Sequence, residues 1–301
     1  MQILRAMLKG FCAVALALAL GGCTAGVSEF VAYDAAFDIQ HNQGNQVLDD
    51  LADAERQLAR RVLAEELDEQ FFDPDFAGYY IDAGDAPATA SLRANLNALR
   101  LYNKVLLGIA NGDGAALQRA RVTEMIGTFR AGVAPFNAED QSADPAANAT
   151  ASTTAARAKL TDLCGACELT LQLSQQILPG LEQAVAQVNY QRFREEVVNQ
   201  QPNMAALLDA FREGAARMYR TMVRANSGTS FGEGTGIREA DRARVAAFRQ
   251  ELAKWVLMID ETQIAMQAAA DAAAAGGRGE LSAQRLLRQS IELERISAAT
   301  N

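Results

Sequence analysis

The sequence predicts an all-α fold, a bundle of seven or eight helices that divides into two sub-bundles, and three observations carry that expectation. Apolar residues recur at steps of three and four along most of the chain, the spacing that gathers them on one face of a helix. The six prolines, at 74, 87, 135, 145, 179 and 202, fall between or at the very start of those segments, and proline inside a helix removes a hydrogen bond and clashes with the preceding turn. The period-two alternation rich in β-branched residues that marks a half-buried strand is missing from the pattern.

Each element follows from local signals. Residues 47–71 set Leu48, Leu51, Leu58, Val62 and Phe71 on a helical stripe, and residues 90–110 do the same with Leu92, Leu96, Leu99, Leu106 and Ile109. Asn111-Gly112-Asp113-Gly114 is a turn signal, after which Leu117, Val122, Met125, Phe129 and Val133 resume helical spacing. Residues 134–152 are polar, alanine-rich and twice broken by proline, and read as a linker. Beyond it, a helix over 153–178 stops at Pro179-Gly180, and 181–200 forms the next. A separate one opens at Pro202, a first-turn position where the missing N–H costs least. The glycine-rich residues 226–236 break the chain again. The clearest stripe follows: Val245, Phe248, Leu252, Trp255, Ile259, Thr262 and Met266 share one face, with Trp255 expected in the core. The alanine-rich 268–275, interrupted by Asp271 and followed by Gly276-Gly277, reads as a frayed helix end, and 281–296 closes the chain. The expected organisation is therefore an acidic N-terminal sub-bundle over 47–133 and a C-terminal bundle over 153–301.

The first residues have a different character. Arg5 and Lys9 precede an apolar run of ten residues, 11–20, and Gly21 and Gly22 lead to Cys23. A helix crossing about 30 Å of hydrocarbon needs about twenty residues, so this run is too short to span. A short apolar core with a basic front and small residues behind it is the pattern of a secretory signal. Leu20-Gly21-Gly22-Cys23 resembles the lipobox of bacterial lipoproteins, a resemblance confined to the first two dozen residues. It implies removal of 1–22 as a signal peptide and acylation of the Cys23 thiol, with palmitate among the chains. Thr24 is not the aspartate associated with inner-membrane retention, so the resemblance implies the outer membrane. Each buried methylene contributes about 0.8 kcal/mol, and two or more acyl chains hold stably where one does not. Residues 23–46 would then be an acylated N-terminus and tether, facing the periplasm.

Half the residues are apolar, enough for a real core, and the formal net charge is −9. Loss of Arg5 and Lys9 with the leader leaves the remainder more acidic still. Nucleic acid is excluded as a partner, because that binding depends on Lys and Arg neutralising phosphates. Charge is unevenly spread: residues 29–85 hold 15 acidic and 3 basic side chains, whereas residues 192–249 hold ten arginines against seven acids. An acidic hairpin packing beside an arginine-bearing part of the same chain accounts for this. An acidic face for a basic partner is the functional alternative, giving fast, salt-sensitive encounter. Arg212, Arg217, Arg220 and Arg224 are expected on the solvated side of a helix whose apolar face holds Leu207, Phe211, Met218 and Met222; a patch for anionic lipid or glycan is the sharper reading.

Residues able to carry chemistry are few. Cys164 and Cys167 form a C-x-x-C, a spacing that redox proteins place at a helix start after a strand. Here the pair falls inside an expected helix. A local structural disulfide, buried thiols and a redox-active pair all remain open, and Glu168 stands where covalent c-type haem requires histidine. His41, the one histidine of the chain, lies in Gln40-His41-Asn42-Gln43-Gly44 and reads as a solvated tether residue. One histidine excludes multi-histidine zinc sites and di-iron bundles built on Glu-x-x-His pairs. Asp73, Asp75 and Gly78 occupy positions one, three and six of a calcium loop. Ala77 and Gly84 stand where two further ligands belong, leaving Asp82 and Asp85 to compensate with another geometry. An acidic, aromatic-bearing turn between two helices accounts for the same stretch without a metal. Its five aromatics, Phe71, Phe72, Phe76, Tyr79 and Tyr80, either fold back on the bundle or form a contact surface. The glycine-rich loop at 228–236 lacks both the Gly-Lys-Ser/Thr ending and the preceding strand of a phosphate loop.

The sequence thus leads to a non-enzymatic binding or scaffold module of the bacterial cell envelope, held by Cys23, working with an envelope protein and without a cofactor. Two alternatives stand beside it: a thiol-disulfide redox protein using Cys164 and Cys167, and a carrier of an apolar ligand between helices.

Overall fold

The computed structural model describes residues 26–66, 74–133, 190–227, 237, 239–275, 292, 295 and 296. Among these the protein is all-α. Six α-helices are present: α1 (Val27–Glu66), α2 (Ala77–Tyr80), α3 (Pro87–Asn111), α4 (Ala115–Val133), α5 (Tyr190–Ala225) and α6 (Arg242–Ala275). Two 3-10 turns and one isolated antiparallel bridge, Ser227 to Ile237, complete the described elements.

Side-chain pairs fix the helix directions. Lys104 near the end of α3 reaches Asp34 near the start of α1, and the first turn of α3 meets Glu55, so the two helices are antiparallel. Phe30 packs edge-on against Phe193 at one end while Arg61 reaches the Arg224 carbonyl at the other, so α1 and α5 run parallel. Gln43 bonds Glu251, and Gly26 backs onto Ala273, which sets α6 antiparallel to α1. The Asn111-Gly112 turn folds α4 back onto α3, with Gly112 as a left-handed C-cap at φ +74°, a conformation glycine adopts without steric cost.

Most of the expected stripe residues form the core; on α4 Val122 and Met125 are buried, whereas Leu117, expected on the same stripe, is 49% exposed. All seven residues of the α6 stripe are buried, Trp255 at 0% exposure against Phe211, and so are the five stripe residues of α3. On α5, Leu207, Phe211, Met218 and Met222 face inward.

Several boundaries differ from the sequence reading. Residues 27–46 are no tether: α1 runs unbroken from Val27, and Phe30, Tyr33, Phe37, Gln40 and His41 are buried within it. Polar side chains mask this stretch because many of them point inward and bond neighbouring helices. Gly44 is hidden for a different reason: it has no side chain because a Cβ there would sit 2.8 Å from the Trp255 indole nitrogen and 2.9 Å from Leu96. The two expected sub-bundles share one core, drawn from α1, α3, α4, α5 and α6 together. Pro202 lies inside α5 and does not start a helix. It sits on the exposed side, where water can serve a carbonyl that proline leaves without an N–H. The alanines at the end of α6 are not frayed; Ala268, Ala269, Ala270, Ala272 and Ala273 are buried, their small side chains letting the backbones approach.

Candidate functional site

The strongest candidate is the segment 74–86 ahead of α3, which side chains from α1 and α3 pin onto the bundle. Pro74–Phe76 and α2 form two short turns, with Phe76 and Tyr79 buried and Tyr80 39% and Ile81 55% exposed. Arg56 and Arg60, one turn apart on α1, reach into this loop. Arg56 Nη2 donates to the Gly84 carbonyl at 2.6 Å. Arg60 donates to the Tyr79 carbonyl through Nε and to Asp82 through Nη2, both at 2.7 Å. From α3, Arg93 grips Asp85 with Nε at 2.6 Å and Nη2 at 3.1 Å, and reaches Asp49 of α1 at 2.7 Å.

Beneath the loop lies Glu55. The cap residue of α3, Ala86, offers no side-chain hydrogen bond, and the first amides of a helix need acceptors. Glu55 supplies them from α1: Oε1 accepts the Ala88 N–H at 2.8 Å, and Oε2 accepts the Thr89 N–H at 2.8 Å and the Thr89 hydroxyl at 2.7 Å. The Tyr79 hydroxyl donates to the same carboxylate. Burial pushes Glu55 above the usual carboxylate range, and those hydrogen bonds pull it back. Burial, and then the Glu55 charge, raise the Tyr79 hydroxyl far above its ordinary value. Tyr79 stays a donor at physiological pH. The outcome is a loop whose backbone is fixed while Tyr80, Ile81 and Asp82 project outward.

A second polar cluster lies inside the bundle at its other end. Tyr33 donates to Asn103 Oδ1 at 3.3 Å. Tyr102 stands close enough to Glu196 and Tyr33 to feel their charge, and burial raises its hydroxyl far above the ordinary range. Burial also raises Glu196, partly offset by a hydrogen bond from Gln200. Tyr102 Oη, Asn103 Nδ2 and Glu196 Oε1 are buried without a hydrogen-bond partner among the described residues, as are both amide atoms of Gln40 on α1.

The expected site residues are distributed as follows. Cys23, Cys164, Cys167, Asp73, Phe71 and Phe72 lie outside the described residues, as does the side chain of Asp75. Asp82 and Asp85 are held by different arginines, Arg60 and Arg93. Among the described residues no group of three histidine, cysteine or acidic side chains is placed to hold a metal ion. His41 is not solvated: it is 3% exposed, with Nε2 2.8 Å from Asn97 Oδ1 and Nδ1 3.2 Å from Asn45. Burial lowers its pKa. Arg212 pairs with Asp260 of α6, and Arg217 and Arg220 are exposed. The sequence reading missed Glu55, Arg56, Arg60, Arg93 and Ile81; the i, i+4 spacing of the two α1 arginines was the available signal. No described helix is long and apolar enough to cross a membrane. The site belongs to an all-α bundle that presents a clamped loop, and in comparisons with known proteins the chain matches no family model, no curated protein and no solved structure.

Proposed function

We propose that this chain is a lipoprotein of the bacterial envelope, anchored through acylated Cys23 in the outer membrane and facing the periplasm, and that it acts as a non-enzymatic binding or scaffold module for another envelope protein. The helices expected over 153–178 and 281–296 would bring the six described helices to eight, within the expected seven or eight. One observation carries the binding reading: four side chains from α1 and α3 immobilise the backbone of residues 79–89 while leaving Tyr80, Ile81 and Asp82 outside. A pre-ordered loop loses little conformational entropy on association, and an aromatic and an aliphatic side chain beside a charge form the kind of anchor that interfaces use.

The anchor is tested by Cys23→Ala. That substitution is expected to move the protein from the membrane fraction to the soluble fraction with unchanged far-ultraviolet circular dichroism, because Cys23 precedes the folded bundle. Retention of the variant in the membrane fraction would refute the lipid-anchor reading.

A further inference from the structure

The exposed face of α1 changes character along its length. Its outermost residues follow one another at steps of three and four, and after Ser28 they are Val31, Ala35 and Ile39, with Val31 45% and Ile39 38% exposed. Further along the same stripe come Gln46, Asp49 and Asp53, all exposed. The apolar part lies at the end closest to Cys23, and the acidic part lies farther away.

Little chain separates that end from the proposed anchor. Gly26 is already part of the bundle. Its N–H donates to Glu29 Oε2 at 3.0 Å, its φ is +89°, and a Cβ would stand 3.0 Å from the Ala273 backbone. Three residue steps connect Cys23 to Gly26, and a fully extended chain of that length spans about 11 Å at most. Whatever path Thr24 and Ala25 take, an acyl group buried at Cys23 holds the start of α1 at the headgroups.

We propose that Val31, Ala35 and Ile39 form a docking surface for the lipid bilayer itself, so that the bundle rests on the membrane by the first three exposed turns of α1. This rests on the lipoprotein reading of Cys23. An apolar face on a surface helix partitions about 5–10 Å into the boundary between headgroups and acyl chains, and holding it there through the lipid makes the contact effectively intramolecular. Asp49 and Asp53 prevent the helix from lying flat along its whole length, because carboxylates resist leaving water and anionic lipids repel them. The bundle therefore rises from the surface beyond Ile39. The clamped loop, which meets α1 at Arg56 and Arg60, lies about 45 Å along the helix from Gly26, on the part that lifts away.

The test uses full-length protein purified from membranes, with intact mass measured, in vesicles of phosphatidylethanolamine and phosphatidylglycerol carrying a nitroxide-headgroup lipid. A fluorescent non-canonical amino acid is placed at position 35 or at position 57, both exposed on the same stripe. The expected result is several-fold stronger quenching at 35 than at 57, reduced by Ile39→Glu while the protein stays on the vesicles. Equal quenching at the two positions of an acylated, vesicle-bound protein overturns the docking surface and leaves the anchor standing. A mass showing a bare Cys23 overturns both readings.

Discussion

Glu55 and Glu196 are both buried carboxyl groups that burial shifts upward, yet the regions around them are built differently. Glu55, under the loop, has both oxygens engaged and receives four donors from three residues. Glu196, between the helices, takes a hydrogen bond from Gln200 and the attraction of Arg192, while its Oε1, like the Tyr102 hydroxyl whose pKa it raises, has no hydrogen-bond partner among the described residues. Net hydrogen-bond contributions are modest, about 1 kcal/mol, whereas an unsatisfied buried group costs about 1–3 kcal/mol. The loop end is thus over-determined, and the interior cluster carries a stability cost that better-satisfied or apolar side chains would relieve. Unsatisfied polarity gathers inside the bundle, with Arg56 Nε the exception at the clamp, while the loop is held at Tyr79, Asp82, Gly84, Asp85, Ala88 and Thr89.

That contrast predicts unequal outcomes for similar substitutions. Glu55→Ala strands two backbone amides and two hydroxyls, and at about 1–3 kcal/mol for each buried group left unmade a loss of roughly 4 kcal/mol or more is expected. Urea denaturation measures it, and hydrogen exchange at residues 79–89 should accelerate selectively; uniform acceleration over all helices would mean that Glu55 does not clamp the loop in particular. Gly44→Ala comes next. Its methyl would crowd Trp255 and Leu96, and overpacking of this kind costs about 1–3 kcal/mol, read as a lower urea midpoint with an unchanged slope.

The smallest effect belongs to Glu196→Gln, expected within about 1 kcal/mol of wild type at neutral pH, since removing a poorly paired buried charge is often neutral or favourable. Its sign depends on pH. Because the folded-state pKa of Glu196 is raised, the native protein keeps this proton to higher pH than the unfolded chain, and stability falls as pH rises from the ordinary value of 4.5 through the raised one. The glutamine variant lacks this component. The difference between variant and wild type should grow in the variant's favour across that window and level off above it. A difference that stays flat from acid to neutral pH would show that Glu196 has an ordinary pKa in the fold.

Much of the bundle was legible in the sequence, and the failures have physical reasons. The stripe from Val245 to Met266 and the turn at Gly112 emerge as read, because apolar periodicity and glycine punctuation report burial and backbone geometry directly. The stretch around His41 was misread because an interior helix face can be polar when its partners are polar, whereas Phe30, Tyr33 and Phe37, buried at helical steps, were a legible stripe that the reading passed over. Gln43 bonds Glu251, His41 bonds Asn97 and Asn45 bonds Arg93, pairs separated by up to 208 positions that no local pattern announces. Pro202 marked a helix start by local rules, and tertiary packing carried α5 through it. At the loop, sequence supplied the aromatics and the acids, while the clamps came from Arg93, eight residues from Asp85, and from Glu55, Arg56 and Arg60, which lie 19 to 34 positions from what they hold.

The binding reading stands or falls on whether the clamped loop meets a partner. A photo-crosslinking amino acid at Ile81, compared in living cells with the same group at the exposed Arg217 of α5, tests this most directly. One envelope protein captured at position 81 and absent at position 217 is the expected result; no adduct at 81, or the same adducts at both positions, would contradict the account.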